Sequence, residues 1–359
     1  MKNKSQPWIG NAVVDSLFIL LPPFFCLLII AFFPSAFLSS DPVSTINWII
    51  LVVLIDVSHV YSTLYRTYFD PVIFRRQRMI LLAIPFFAFI GGVLLYSLSS
   101  RWFWRILAYT AVFHFIRQQY GFMRVYSRYD KPGTVASRID TLAIYTATLY
   151  PIAYWHLTGP KNFNWFIEED FFYLRGERWL PVFTAIYFTI ILTYLTKEIV
   201  LRIRDKTTNW PRFMLISGTF LSWYAGIVYF NGDLAFTLLN VVSHGVPYMA
   251  LVWLYGKKNY SQGKAGRFLK VIFSRYGWTF FLIVLFILAF VEEGIWDRAV
   301  WKERINVFGT AGFSLSKEGL TILVPLLALP QLTHYILDGF IWKMKPDKEG
   351  WNNDIIKFK

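Results

Sequence analysis

The residues with the clearest capacity for chemistry are histidines that lie inside apolar stretches of the chain. Four of the five histidines lie in such stretches: His59, His114, His244 and His334. Each has a polar residue three or four positions away, which shares its face if the stretch is a helix. These polar neighbours are Asp56, Gln118, Asn240 and Asp338. Neutral imidazole is the commonest metal ligand in proteins, and its second nitrogen usually needs a hydrogen-bond partner. The pattern therefore predicts four metal ligands, each supported by a polar or acid–base neighbour.

The ligand type restricts the metal. An all-imidazole or imidazole–carboxylate site suits iron, copper or zinc, and it does not suit magnesium or calcium. We take iron as the first candidate, with copper and zinc as alternatives. Two histidines on facing helices could instead bind haem axially. The sequence has no His-Glu-x-x-His, His-x-x-x-His or Glu-x-x-His pair, so the ligands would come one per helix. The simplest alternative is that each histidine makes one interhelical hydrogen bond and binds nothing.

A further polar cluster lies in the sequence TAVFHFIRQQYGFMR at 110–124. Charged groups are costly in hydrocarbon, so Arg117 needs an explanation. We predict that it orients a polar headgroup of the substrate, or that it pairs with Asp56 or Asp338. Alternatively, its long side chain reaches toward the cytoplasm. Gly121 would let another helix or a ligand come close to this face.

The elements that would hold these side chains are membrane-spanning helices. Of the 359 residues, 56% are hydrophobic and 16% are charged, and the mean hydropathy is +0.44. A helix needs about 20 apolar residues to cross a bilayer. Windows of this kind occur at 12–33, 46–66, 78–98, 102–123, 139–158, 179–201, 211–230, 234–255, 277–294 and 319–342. We therefore predict an all-α integral membrane protein with about ten transmembrane helices, one domain over 1–359 and no large soluble domain. The only cysteine, Cys26, excludes an intramolecular disulfide and a cysteine-based metal site.

The distribution of basic residues predicts the orientation of these helices. Alternate connecting segments hold 26 of the 36 Lys and Arg residues, and the other connecting segments hold nine. The basic set comprises the N-terminus, 66–78, 124–138, 197–212, 257–275 and the C-terminal tail. Cytoplasmic loops carry this excess in membrane proteins. Both termini are therefore predicted to be cytoplasmic, in a bacterial-type inner membrane.

This orientation places the four histidines at similar depths. They lie on the second, fourth, eighth and tenth predicted spans, which all run from outside to inside. At about 1.5 Å per residue, each is roughly 10–20 Å from the cytoplasmic end of its span. The four imidazoles could therefore occupy one layer. His156 differs, because it closes the fifth span at the outer face, where we expect an interfacial side chain. Glu292 and Glu293 end the ninth span, where we expect them to face water.

The net charge of +14 does not indicate a nucleic-acid partner. The positive charge lies in alternate loops, where it sets the orientation of the helices in the membrane. These loops face anionic lipid headgroups. No compact basic domain is present to contact nucleic acid. The predicted partners are therefore membrane lipids and a lipophilic small-molecule substrate, and the sequence predicts no oligomeric state.

The arrangement is similar in kind to multi-histidine integral membrane oxygenases, such as the bacterial carotene-cleaving dioxygenases. The likeness consists of one histidine per helix, together with "SHG" at 243–245 and "HYILDG" at 334–339. It covers only these short segments, and no residue roles follow from it. In that family, histidines spread over several helices hold iron.

These observations predict a membrane metalloenzyme of the oxygenase or oxidoreductase type that acts on a lipid or isoprenoid. A metal held in apolar surroundings is shielded from water and close to membrane-dissolved substrates. Two alternatives stay open. The first is a haem-binding electron-transfer protein. The second is a proton-coupled transporter, in which Arg117, the histidines and two aspartates form a relay.

Overall fold

The computed structural model describes residues 6–38, 43–260, 266–310, 312 and 314–342, and these residues form helices and no strand. The predicted all-α class is therefore confirmed for the described residues. Ten helical segments correspond to the ten apolar windows. They are α1 (Ala12–Leu20 and Pro22–Phe32), α2 (Thr45–Arg66), α3 (Pro71–Leu98), α4 (Ser100–Tyr126), α5 (Val135–Thr158), α6 (Glu177–Asp205), α7 (Trp210–Trp223 with Tyr224–Tyr229), α8 (Asp233–Tyr260), α9 (Trp278–Trp301) and α10 (Lys317–Ile341). Short helices occur at Pro34–Leu38, Arg267–Ile272 and Ile305–Phe308.

Six of these helices are long and apolar enough to cross a membrane, namely α2, α3, α6, α8, α9 and α10. The two parts of α1 make a seventh if they form one span bent by 55°. Length and composition thus indicate a multi-pass membrane protein. The other three long segments do not meet the same criteria, so ten crossings stay a prediction. The placement of both termini also stays a prediction, because 1–5 and 343–359 lie outside the described residues.

Local sequence explains where the helices begin. The Asp70 carboxylate accepts hydrogen bonds from the backbone N–H groups of Val72 and Ile73, and Pro71 occupies the first turn of α3. Side chains of Thr134 and Asn209 cap α5 and α7 in the same manner. Such caps satisfy N–H groups that a helix leaves without internal partners.

Among the described residues, four segments have π-helical winding, in which the backbone hydrogen bond spans five residues. They are Ser16–Leu20, Ile49–Val57, Tyr224–Tyr229 and Asp297–Trp301. Ile49–Val57 contains Asp56 and ends two residues before His59. The winding of α2 therefore changes immediately before a candidate ligand.

The chain divides into two compact units, described separately below. Unit 1 comprises Met1–Pro42 and Val112–Pro247, and unit 2 comprises Val43–Ala111 and Tyr248–Lys359. The division falls within two continuous helices, α4 and α8. The prediction of one transmembrane domain over 1–359 stays a prediction.

Unit 1 contains a buried network of charged side chains that joins α5, α6 and α7. The Arg212 guanidinium lies 3.1 Å from the Asp140 carboxylate, 2.8 Å from Glu198 and 2.6 Å from Asp130. Lys197 donates to Asp140 at 2.5 Å and also to Glu198. All of these side chains except that of Asp130 are buried. The network therefore compensates charges that would be costly alone in the interior.

The packing of α7 against α1 leaves no room for a larger residue at Gly218. A Cβ atom there would lie 2.7 Å from Cγ of Pro23 and 3.2 Å from Phe24. The proline ring cannot rotate away, so we expect Gly218→Ala to destabilise the fold by about 1–3 kcal/mol. A thermal unfolding curve in detergent would measure this loss.

The matched control is Gly121→Ala on α4, because no described atom lies within 4 Å of a Cβ placed there. The proposed close approach at Gly121 is thus not found among the described residues. We expect the alanine to stabilise the helix by roughly 0.5–1 kcal/mol. Equal unfolding temperatures for the two variants would contradict the packing described for Gly218.

Unit 2 is packed around aromatic side chains. The Tyr65 ring stacks on Phe281 with 4.8 Å between centroids, and its hydroxyl donates to the Phe281 carbonyl. The next residue, Arg66, is buried, with its guanidinium 4.2 Å from the Tyr255 ring centroid and 3.9 Å from that of Trp342. Arg66 begins the segment 66–78, which is predicted to be a cytoplasmic connection, and it is the last residue of α2. The cytoplasmic placement stays a prediction. Cation–π stacking lets the end of α2 keep this charge inside the protein.

Candidate metal centre

Unit 1 contributes a pair of buried histidines, one from α4 and one from α8. The ring centroids of His114 and His244 are 5.0 Å apart, with the rings at 82°. The His244 ring also stacks face to face on Phe115, with 3.5 Å between centroids and 6° between planes. This stacking limits rotation of the His244 imidazole.

Two glutamines of α4 bind the backbone of α8 beside His244. The Gln118 amide donates to the His244 carbonyl at 2.9 Å, and the Gln119 amide donates to the Ser243 carbonyl at 3.3 Å. Pro247 explains the second bond, because proline has no N–H to donate to the carbonyl four residues earlier. Gln119 in turn accepts a hydrogen bond from Thr219. Gln118 therefore positions the main chain that carries His244, rather than its imidazole.

Asn240 is buried one turn before His244, as expected from the spacing. Its amide nitrogen donates to the Phe236 carbonyl at 2.9 Å. This bond lies within α8 and uses the amide nitrogen. A supporting role for Asn240 stays a prediction.

Unit 2 contributes the other pair of buried histidines, one from α2 and one from α10. The ring centroids of His59 and His334 are 5.1 Å apart, with the rings at 78°. Nδ1 of His59 lies 3.6 Å from the Asp56 carboxylate, and Nδ1 of His334 lies 3.8 Å from that of Asp338. Both distances are too long for a hydrogen bond. Each aspartate thus lies beside the histidine with which the sequence pairs it.

The hydroxyl of Tyr248 is the centre of a hydrogen-bond network in unit 2. It donates to the Asp338 carboxylate at 2.6 Å, lies 2.9 Å from the Thr63 hydroxyl and accepts from the Trp342 indole at 3.2 Å. The Thr63 hydroxyl also lies 2.7 Å from Nδ1 of His334. Tyr248 and Thr63 are absent from the predicted site. The available signal was their spacing, since each follows a predicted ligand by four residues on the same helix.

The four histidines form one buried group. One ligand atom from each of His59, His114, His244 and His334 can be chosen so that all four lie within 4.8 Å of one another. In a tetrahedral site with bonds of about 2.1 Å, the four nitrogens lie about 3.4 Å from one another. The imidazoles would therefore have to close in by up to about 1.4 Å to hold such an ion. The group could hold a metal ion if the side chains adjust in this way.

Arg117 does not contribute to this buried group. Its side chain is exposed, donates to the Tyr145 hydroxyl at 2.7 Å and lies 5.0 Å from the Tyr120 ring centroid. It therefore packs along α4 and α5 instead of beside His114. Its assignment to a substrate headgroup stays a prediction.

Two further polar residues, His156 and Glu292, lie near predicted span ends and do not belong to the group of four histidines. His156 lies outside the histidine group, with Nδ1 2.7 Å from the Ile152 carbonyl. Glu292 was expected to face water, and this is wrong, because its side chain is buried. The Tyr61 hydroxyl and the Trp296 indole donate to its carboxylate at 2.5 and 3.2 Å. Position at a span end did not reveal these interior partners.

Comparisons with known proteins supply no further guide to the centre. No known protein family, curated protein or solved structure matches this chain. The function must therefore be inferred from the chemistry of the side chains.

Proposed function

We propose that His59, His114, His244 and His334 together bind one transition-metal ion inside a multi-pass membrane protein. The observation that supports this is the buried group itself, with four ligand atoms within 4.8 Å. Iron is the first candidate, with copper and zinc as alternatives, because imidazole suits all three.

We further propose that the protein is an oxidoreductase of the oxygenase type and that its substrate is a lipid or isoprenoid. A bound iron or copper ion would supply redox chemistry to a site shielded from water. Burial of all four ligands and long apolar helices support a substrate that enters from the bilayer. The proposal includes about ten spans, cytoplasmic termini and an inner-membrane location, as the charge distribution predicts.

The remaining predicted site residues would have distinct tasks in such a centre. Asp56 and Asp338 lie beside His59 and His334 and would orient their rings or exchange protons with a substrate. Gln118 would hold the backbone of α8 in place. Asn240 would support the same helix, and Arg117 would bind a headgroup at the protein surface.

Metal analysis of gently purified wild-type protein, combined with its visible spectrum, tests the proposal. We expect about one transition-metal ion per chain and no Soret band. A strong Soret band would instead show haem, which would have to place its ring between two histidines of the group. Absence of metal after purification and after reconstitution with Fe²⁺, Cu²⁺ or Zn²⁺, together with proton-coupled transport in liposomes, would replace the proposal with the transporter.

A further inference from the structure

We propose that the connection between α5 and α6, residues 159–176, is an aromatic cover that holds Phe115 on the ring of His244 and separates the His114–His244 pair from water. The inference adds positioning residues to the proposed metal site, and it rests on that proposal only where bound metal is measured. All of the residues that carry it belong to unit 1.

The connection has an aromatic inner face and a polar outer face. Phe163 and Phe171 are buried, and Trp165 is half-buried. Glu168 and Glu169, which lie between Trp165 and Phe171 in the sequence, are exposed. Because charged carboxylates are costly in hydrocarbon, the outer face has to meet water rather than lipid. The aromatic rings therefore lie beneath a surface that faces water.

Trp165 connects this inner face to the histidine pair through Phe115 of α4. The Trp165 and Phe115 ring centroids are 5.1 Å apart with the rings at 78°, and Phe115 stacks on His244 at 3.5 Å. His244 in turn lies 5.0 Å from His114. Edge-to-face and stacked arrangements are both favourable for aromatic rings. Trp165 therefore restrains Phe115, and Phe115 restrains the imidazole of His244.

Further aromatic contacts hold the inner face in place. The Trp165 ring lies 5.5 Å from that of Phe236 on α8 and 6.0 Å from that of Phe171. Phe163 stacks on Phe236 with 4.4 Å between centroids, and Trp155 of α5 lies 4.8 Å from Phe163. The rings of the connection thus pack against α4, α5 and α8, which makes the cover a fixed part of the fold.

Hydrogen bonds fix the main chain of the cover. The buried Asp170 carboxylate accepts from the backbone N–H groups of Trp165 and Phe166 at 2.9 and 2.8 Å. The Leu174 N–H donates to the His156 carbonyl near the end of α5 at 2.8 Å. Because Asp170 binds the backbone of Trp165 itself, it sets the position from which the indole ring reaches Phe115.

Chemical modification of metal-free protein tests the inference. Diethyl pyrocarbonate attaches to accessible imidazoles, and peptide mass spectrometry measures its rate at His244 in detergent. We expect Trp165→Ala to raise this rate by at least about tenfold, since the loss of three aromatic pairs favours local opening of the cover. Trp165→Phe should bring the rate back toward the wild-type value, because a phenyl ring can keep an edge-to-face contact with Phe115.

A second pair of variants tests the main-chain anchor. Asp170→Ala removes the acceptor that holds Trp165 and Phe166, so the rate at His244 should also rise. Asp170→Asn keeps an oxygen that can accept from both N–H groups, and it should restore the protection of His244. Rapid modification in Asp170→Asn and slow modification in Asp170→Ala would contradict the anchor.

Two control variants distinguish a cover from ordinary packing. Trp179→Ala removes the same type of side chain from the first turn of α6, where Trp179 is exposed, and should leave the rate at His244 unchanged. Gly218→Ala disturbs unit 1 at the contact with Pro23 of α1 and should have little effect well below its unfolding temperature. Equal rates in Trp165→Ala and either control would overturn the inference.

A metal measurement tests whether the cover also protects the proposed centre. From protein loaded with Zn²⁺, EDTA should remove the ion at least about tenfold faster in Trp165→Ala than in Trp179→Ala. Equal rates of Zn²⁺ loss would overturn the separation of the centre from water. Failure of the wild type to bind any metal would overturn the proposed function alone, because the modification of His244 is measured without metal.

Discussion

His334→Ala and His114→Ala are each expected to abolish bound metal under conditions in which the wild type retains it. His334 and His114 come from different histidine pairs. Complete loss of metal in both variants would therefore require that both pairs bind the same ion. Structural zinc sites contribute about 10–16 kcal/mol, and an equal share among four ligands is about 2.5–4 kcal/mol, or roughly 100- to 1000-fold in affinity. Elemental analysis of the purified variants, followed by metal titration of the stripped proteins, measures this effect.

The fifth histidine is the control for that experiment. His156→Ala removes an imidazole from the same protein but from outside the buried group, so we expect the metal content to stay at the wild-type level. If His114→Ala retained full metal while His334→Ala lost it, the metal would belong to the His59–His334 pair alone. Loss of metal in His156→Ala would contradict the assignment of ligands.

Arg212→Met is expected to produce the largest loss of stability of the variants considered. Arg212 is buried and lies within ion-pair distance of Asp130, Asp140 and Glu198. Its removal leaves two buried carboxylates with Lys197 as their remaining partner in the described network. Breaking a buried ion pair on one side costs about 3–5 kcal/mol. Tryptophan fluorescence during thermal unfolding in detergent should show a strongly lowered transition.

Arg204 provides a matched control from the same region of the chain. It pairs with Asp205, and both side chains are largely exposed. An exposed pair of this kind contributes about 0–1 kcal/mol, so Arg204→Met should unfold close to the wild-type temperature. A comparable loss in both variants would show that the network in unit 1 is not the source of the effect.

The sequence predicts the helices well because apolar length and periodicity are local properties. Each apolar window corresponds to a helical segment, although α3 begins at Pro71, before its window at 78–98. The number of membrane crossings is harder to obtain. It depends on whether a polar segment such as α4 is sheltered by neighbouring helices, and that is a property of tertiary packing.

The histidine group could be anticipated, whereas its supporting contacts could not. The depth of each imidazole follows from the charge distribution and the helical rise, so a shared layer is predictable. Which helix lies beside which is not encoded in these patterns. For this reason Thr63 and Tyr248 were not identified as partners of His334, and Arg117 was expected closer to the buried group than it lies.

The expectation that a charged residue at the end of a span faces water also failed, for a physical reason. Arg66 and Glu292 lie where a helix is expected to meet water, and yet both are buried. Aromatic rings surround Arg66, and a tyrosine and a tryptophan donate to Glu292. A charged residue at the end of an apolar window therefore marks the end of the window, not the end of the protein interior.

The π-helical stretch Ile49–Val57 has a consequence for how this protein tolerates insertions and deletions. Each of its hydrogen bonds encloses one residue more than an α-helical bond, so the stretch holds surplus chain length. Deletion of one residue here would let α2 rewind as an α-helix, which would absorb the loss within the stretch. In an α-helix without surplus length, the same deletion would rotate the preceding residues by about 100° relative to His59. The residues after the stretch, which include Thr63, would keep their register with α10. A change of one residue in length should therefore be tolerated more readily in this part of α2 than in the α-helical turns that follow it.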